Sequence, residues 1–168
     1  LDHVSFSIKQ GQILGIAGID GNGQSELVEA IVGTLKPQGG KVTMNGKDLT
    51  NLSVLKRQEA GISHVSEDRL KYGTAPKLSL EDNMISKVYY TKRLKTGGLI
   101  DSKKVTAFTK GILDEFLVKY DNTKQSVSEL SGGNVQKLVV GREYDYDPEL
   151  LIMNQPTRGI DVGAIEFI

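Results

Sequence analysis

The stretch Gly18-Ile19-Asp20-Gly21-Asn22-Gly23-Gln24-Ser25-Glu26 has the residue types and spacing to do chemistry. Its three glycines let the backbone turn several amides toward one point, and Ser25 adds a hydroxyl, so the loop could cradle a phosphate and offer an oxygen to Mg²⁺. The spacing follows G-x-x-x-x-G-K-[ST] with one departure, because Gln24 stands at the lysine position. The amides of Gly21 to Glu26 and the Ser25 hydroxyl remain, but Gln24 can donate only a neutral hydrogen bond. Charge-assisted bonds contribute roughly twice as much as neutral ones, so this change should weaken anion binding by about 1 to 2 kcal/mol without abolishing it.

Such a loop works only between a strand and a helix. Ile13-Leu14-Gly15-Ile16-Ala17 reads as a buried strand before it, and Leu27, Val28, Ala30, Ile31 and Val32 recur at helical spacing after it. Upstream, Val4, Phe6 and Ile8 alternate with serines as in a half-buried strand. Val42 and Met44, followed by Asn45-Gly46, predict a hairpin and hence an antiparallel patch beside the loop. Residues 54–60 read as a brief polar helix and 62–66 as a return to strand. Glu67-Asp68-Arg69 then lies at a strand's carboxyl end, where ligands of open α/β sheets bind.

Ser79-Leu80-Glu81-Asp82 has capping-box spacing and predicts a helix to about Leu94, with a loop at residues 96–98. After Ser102 a second helix should bury Val105, Phe108, Ile112, Phe116 and Leu117. Lys92, Arg93, Lys95, Lys103 and Lys104 read as a solvated face. A further glycine pair, Gly132-Gly133, opens a helix with Leu138 and Val139 on its buried side. Asp147-Pro148 closes that region, and Leu150 to Met153 reads as a buried strand. Residues 79–130 should form a helical insertion, with 1–78 and 131–168 as the core of one α/β domain.

The bulk composition narrows the partners. The 168 residues, 38% of them hydrophobic, are enough for one core, and 21 Lys and Arg balance 21 Asp and Glu. Such balance gives no sign of a nucleic-acid surface or a polybasic membrane surface. With no cysteine there is no disulfide or Cys-bound metal, which suits the cytosol. No apolar run is long enough to span a bilayer and no signal peptide opens the chain, so a membrane role is expected to act through a partner. His3 and His64 read as structural.

Three motifs stand in order along the chain, and together they resemble the ATP-binding domain of ABC transporters. Gly18 to Ser25 is similar to the Walker A loop, Leu130 to Lys137 to the signature in an LSGGNxQK form, and Leu150 to Gln155 to Walker B. The following Pro-Thr-Arg-Gly-Ile-Asp resembles the D-loop, which ends on Asp161, and Glu67 takes the Q-loop position within Ser-Glu-Asp-Arg. The spellings SEDR, LSGGNxQK, PTRGID and GNGQSEL resemble the second, C-terminal ATP-binding domain of the double-domain polypeptides that energise simple-sugar and nucleoside importers. GNGQ with QPTRG leans toward the nucleoside branch.

The resemblance implies a P-loop NTPase fold, α/β with a parallel sheet core, an antiparallel β patch and a helical subdomain, truncated relative to a whole domain. It implies ATP and Mg²⁺ as cofactors, held by Gly18, Asp20, Gly21, Asn22, Gly23, Gln24, Ser25 and Glu26, with Ser25 and Asn154 as a weak magnesium site. Asn154 replaces the family's Walker B aspartate, and Gln155 replaces its catalytic glutamate. Losing a general base typically costs on the order of 10² to 10⁴ in rate. The signature is intact, so Ser131, Gly132, Gly133, Asn134 and Gln136 are expected to close over a nucleotide held by another domain.

The implied partners are a second ABC ATP-binding domain upstream in the same polypeptide, transmembrane permease subunits and, indirectly, an extracellular or periplasmic substrate-binding lipoprotein. Peripheral attachment at the cytoplasmic face of the membrane follows. The adenine-stacking aromatic residue and the switch histidine are expected outside these 168 residues. Two other classes stay open: a nucleotide-binding module without enzymatic duty, and a soluble ABC ATPase of DNA repair or the ribosome.

Overall fold

The computed structural model describes residues 3–19 and 21–168. The chain divides into two compact units, residues 1–64 with 147–154 and residues 65–146 with 155–168.

In the first unit, helix α1 (Gln24–Val32) follows the glycine loop, and β1 (Thr43–Met44) and β2 (Lys47–Asp48) form a hairpin. Thr43 faces Asp48 and Met44 faces Lys47 across the antiparallel pair. Asn45 and Gly46 both take positive φ, 50° and 76°, as a two-residue turn with the right-handed strand twist requires. Ser53 caps α2 (Val54–Glu59), its hydroxyl accepting the Lys56 amide, and β3 (Ile62–Val65) pairs with β6 (Leu150–Met153).

The two apolar segments before α1 do not form strands. Ile13 is 96% exposed, and Val4, Phe6, Ile8, Leu14 and Ile16 are also exposed. Alternating or continuous apolar residues show which surface needs a cover, whereas a strand also needs a neighbour for its amides and carbonyls. Among the described residues no strand supplies one. β6 is likewise half-buried along its length instead of buried.

The second unit is built around α5 (Gly132–Asp145), whose Val135, Leu138, Val139 and Val140 are buried with Val105, Ile112 and Leu113 of α4 (Ser102–Glu115). Leu80 and Met84 of α3 (Leu80–Ile85) are also buried, and α3 packs on α4. The capping box at Ser79 and Asp82 forms as the sequence predicts. The helix stops early, however, at Ile85. The Asn83 side chain donates to the carbonyls of Ala75, Leu78 and Ser79, while Ser86 and Thr91 bond the carbonyls of Asn83 and Val88. Such local bonds compete with the helical ladder.

The expected loop at residues 96–98 is the turn of a small hairpin of β4 (Lys95–Thr96) and β5 (Leu99–Ile100), with Thr96 itself in the first strand. Asp101, one residue ahead of the expected start, caps α4. Leu117 is exposed and has φ 51°, so it leaves the apolar face that Leu113 joins. The basic residues are more engaged than a solvated face implies. Arg93 forks onto Asp145 at 2.7 and 3.1 Å and lies 4.5 Å over the Phe108 ring, and Lys104 donates to the Lys95 carbonyl. Helix α6 (Val162–Phe167) closes the unit.

Two buried carboxylates fix this helical packing. Glu143 lies between Lys87 and Arg142, with Arg142 Nη2 at 3.0 Å, and Arg142 also donates to the Gly73 carbonyl at 2.7 Å. Glu81 accepts from Thr106 Oγ1, Thr123 Oγ1 and Lys124 Nζ at 2.8, 2.7 and 2.6 Å. Burial pushes the Glu81 carboxyl up, but the bonds from Lys124, Thr123 and Thr106 outweigh it and hold the group below its ordinary 4.5. A depressed carboxyl stabilises the fold above its unfolded value, and that contribution is lost as pH falls through the folded one. Unfolding midpoints in urea should therefore drop as pH falls below 4.5. Glu81→Gln should start about 1 to 2 kcal/mol less stable at pH 7 and respond less to acid, as read from the same titration.

Candidate functional site

In the first unit, the loop after Gly18 turns on positive-φ glycines, Gly21 at 87° and Gly23 at 98°. The Asn22 amide donates to the Ile19 carbonyl at 3.2 Å, and Leu27 N to Gly23 O at 2.9 Å starts α1. Gly23 is the N-cap, and no side chain caps the helix. Glu26 lies in the first turn, the end where an acidic residue complements the dipole. The carboxamide of Gln24 folds back over Gly18 and lies where a Cβ at that position would stand, so a larger residue there would have to turn Gln24 aside. Asp20 lies outside the described residues. The helix-start amides and the dipole fit a phosphate.

Magnesium fits less well. The expected ligands are a hydroxyl at Ser25 and a neutral amide at Asn154, which follows β6, and hard cations favour carboxylate oxygens. Among the described residues no group of three His, Asp or Glu could hold a metal.

In the second unit the signature starts a helix. Ser131, the N-cap of α5, accepts the Asn134 amide at 3.4 Å and its side-chain Nδ2 at 2.9 Å. With two donors on its oxygen, the Ser131 hydroxyl hydrogen is left to point elsewhere. Asn134 Oδ1 in turn accepts the Lys119 amide at 2.9 Å, so this side chain is turned toward its own unit. Ser131 and Gly132 are exposed. Gln136, expected to face a neighbour, is 2% exposed and looks inward, because it stands three and four positions before Val139 and Val140 and shares their buried face.

Glu67 forms an ion pair with Arg158, and Arg69 donates from Nη1 to the Arg158 carbonyl at 2.9 Å and from Nη2 to the Gly159 carbonyl at 3.0 Å. Asp161 caps α6 through Ala164 N at 3.0 Å. The structure thus joins Glu67 and Asp161 to one cluster with the signature glycines. Gln155 is exposed and has φ 47°, a left-handed conformation that costs a residue with a Cβ roughly 1 to 2 kcal/mol. Arg69 and Arg158 lie within the SEDR and PTRGID motifs, where the opposite charges of Glu67 and Arg158 are the one local signal of this contact.

Residues 1–158 match the ABC transporter family. The chain belongs to that family. It is 43% identical over 165 residues to the guanosine import ATP-binding protein NupO of Bacillus subtilis, covering 98% of this chain and 32% of that one. Identity is 42% to the nucleoside import ATP-binding protein NupA of Lactococcus lactis (98% and 33% covered) and 42% to the glucose import ATP-binding protein TsgD13 of Haloferax volcanii (100% and 31%). The chain spans about a third of the length of these relatives. Among solved structures, the dimeric cassette MJ0796 superposes with a TM-score of 0.78 at 21% identity, covering 97% of this chain and 68% of that one. The cassette MJ1267 gives 0.71 at 26% identity, with 97% and 65% covered. The fold is that of ABC ATPase cassettes, an α/β P-loop NTPase with a parallel sheet. ATP is the family's nucleotide.

Proposed function

We propose that this ABC transporter chain is part of the second ATP-binding domain of an importer for simple sugars or nucleosides, with one degenerate and one working composite site. The contrast between an exposed Ser131-Gly132 edge and uncharged residues at 24, 154 and 155 carries this reading. The relatives named for guanosine, nucleoside and glucose import support the cargo class, and the GNGQ and QPTRG spellings favour a nucleoside. Residues 79–130 serve as the helical subdomain, with 1–78 and 131–168 as the nucleotide-binding core.

Bound ATP supplies the γ-phosphate that is released to water. In its own loop this chain holds phosphate through the amides of Gly21 to Glu26, with Ser25 and Asn154 as a weak magnesium site, and Gln155 cannot take a proton from water at neutral pH. Toward an upstream second ATP-binding domain, the Ser131 hydroxyl and the first amides of α5 supply donors and the positive helix end. Asp161 and Glu67 position that edge, and the resulting motion passes to permease subunits that receive cargo from a substrate-binding lipoprotein. The chain sits peripherally on the cytoplasmic face; among the described residues no helix is long and apolar enough to cross a membrane.

The test compares ATP hydrolysis by the isolated chain with that by the assembled importer. Little or no turnover is expected from the chain alone and brisk turnover from the assembly. Brisk turnover by the chain alone would overturn the division of roles.

A further inference from the structure

The signature glycines are enclosed by two side chains from distant motifs. A Cβ on Gly132 would stand 2.8 Å from Arg69 Nη2, and one on Gly133 would stand 2.5 Å from Asp161 Oδ2 and 3.0 Å from the Ala164 Cβ. Arg69 is not free to swing aside, because its two terminal nitrogens hold the carbonyls of Arg158 and Gly159, 89 and 90 positions away in sequence. The planar guanidinium fork suits two adjacent carbonyls, a geometry that an ammonium cannot copy. Among the described residues no acceptor reaches Arg69 Nε, which is buried. A side chain seeking only solvation would not bury that donor unpaired.

The backbone that presents Arg69 is itself fixed. Asp68 Oδ1 accepts the amides of Leu70 and Lys71 at 3.1 and 2.9 Å, capping the π-helical turn Arg69–Gly73. Glu67, on the other side, pairs with the Arg158 side chain, so residues 67–69 grip residues 158–159 by side chain and by backbone.

We infer that Arg69 is a positioning residue that ties the 158–161 segment to the start of the signature helix, so that both are offered to a neighbouring ATP-binding domain as one rigid edge. The inference rests on the proposed role of Ser131 and its neighbours in completing that domain's site. Gly132 then has a reason to be glycine from its inner side: a methyl group there dislodges Arg69 and releases both carbonyls.

The test uses the assembled importer carrying Arg69→Ala, Arg69→Lys, Gly132→Ala or both alanine changes, with Ser131→Ala as reference. Hydrogen exchange at the amides of Arg158 to Asp161 is expected to speed up about 10-fold in each Arg69 variant and in Gly132→Ala. The kcat for ATP should fall roughly 10-fold or more with KM little changed, since misplacing groups by about an ångström can cost up to about 100-fold. The double variant should be no worse than the worse single one, as expected for residues acting through one contact. If Arg69→Ala does not fold, Arg69→Lys carries the same comparison. Unchanged exchange overturns the tie. Faster exchange with unchanged kcat, while Ser131→Ala still cuts turnover, overturns the positioning role and leaves the proposed function standing. Unchanged turnover in Ser131→Ala overturns both.

Discussion

Ser131→Ala in this chain should cut ATP turnover by the assembled importer about 100-fold, whereas Gln155→Ala should leave it within about two-fold. The first figure follows from removing a preorganised donor aimed at charge that develops in the transition state, which typically costs 10²- to 10³-fold in kcat. Ser131 is suited to that duty because Asn134 donates to its oxygen from both the main chain and the side chain, leaving the hydroxyl hydrogen for an external acceptor. The second figure follows from chemistry already absent: a carboxamide at position 155 is no base, and truncating it removes none. Phosphate release by the purified assembly measures both. If the two substitutions had equal effects, the proposed asymmetry between the sites would be wrong.

The sequence is most legible where an interaction closes within a few residues. The Asn45-Gly46 turn and the box between Ser79 and Asp82 each join groups no more than three positions apart, and each forms as expected. Side chains whose partners are distant gave no local signal. Glu81 collects donors from Thr106 and Thr123, Glu143 pairs with Lys87, and Arg69 reaches residues 158 and 159. A strand at residues 13–17 depended likewise on neighbours that a pattern of apolar residues cannot supply. Gln136 differs again, for helical spacing from the buried Val139 points it inward although the motif implies an outward role.

Arg57 is the clearest case of a residue the sequence hides, and replacing it should have the largest effect on stability. It is 2% exposed in a helix that read as polar, and its guanidinium donates to the carbonyls of Ala30 and Ile31 at 2.5 and 2.7 Å, of Thr50 at 2.7 Å and of Leu52 at 3.2 Å. Burial draws its pKa down, but a guanidinium stays charged in a protein, so the carbonyls at the end of α1 face a fixed cation where the dipole is negative. Gly33 ends that helix with φ 94°, and a Cβ there would come within 2.9 Å of Arg57 Nε.

Arg57→Leu leaves these carbonyls without their donor and should cost about 3 to 5 kcal/mol. With a urea slope of about 1 to 3 kcal/mol per molar, the midpoint should fall by at least about 1 M. Arg57→Lys should recover only part of this, because one ammonium cannot reach four separated acceptors. The same variants should bind nucleotide more weakly at the Gly18 loop, since α1 carries that loop at one end and is anchored by Arg57 at the other. A midpoint unchanged by Arg57→Leu would show that the first unit is held together by something other than this cation.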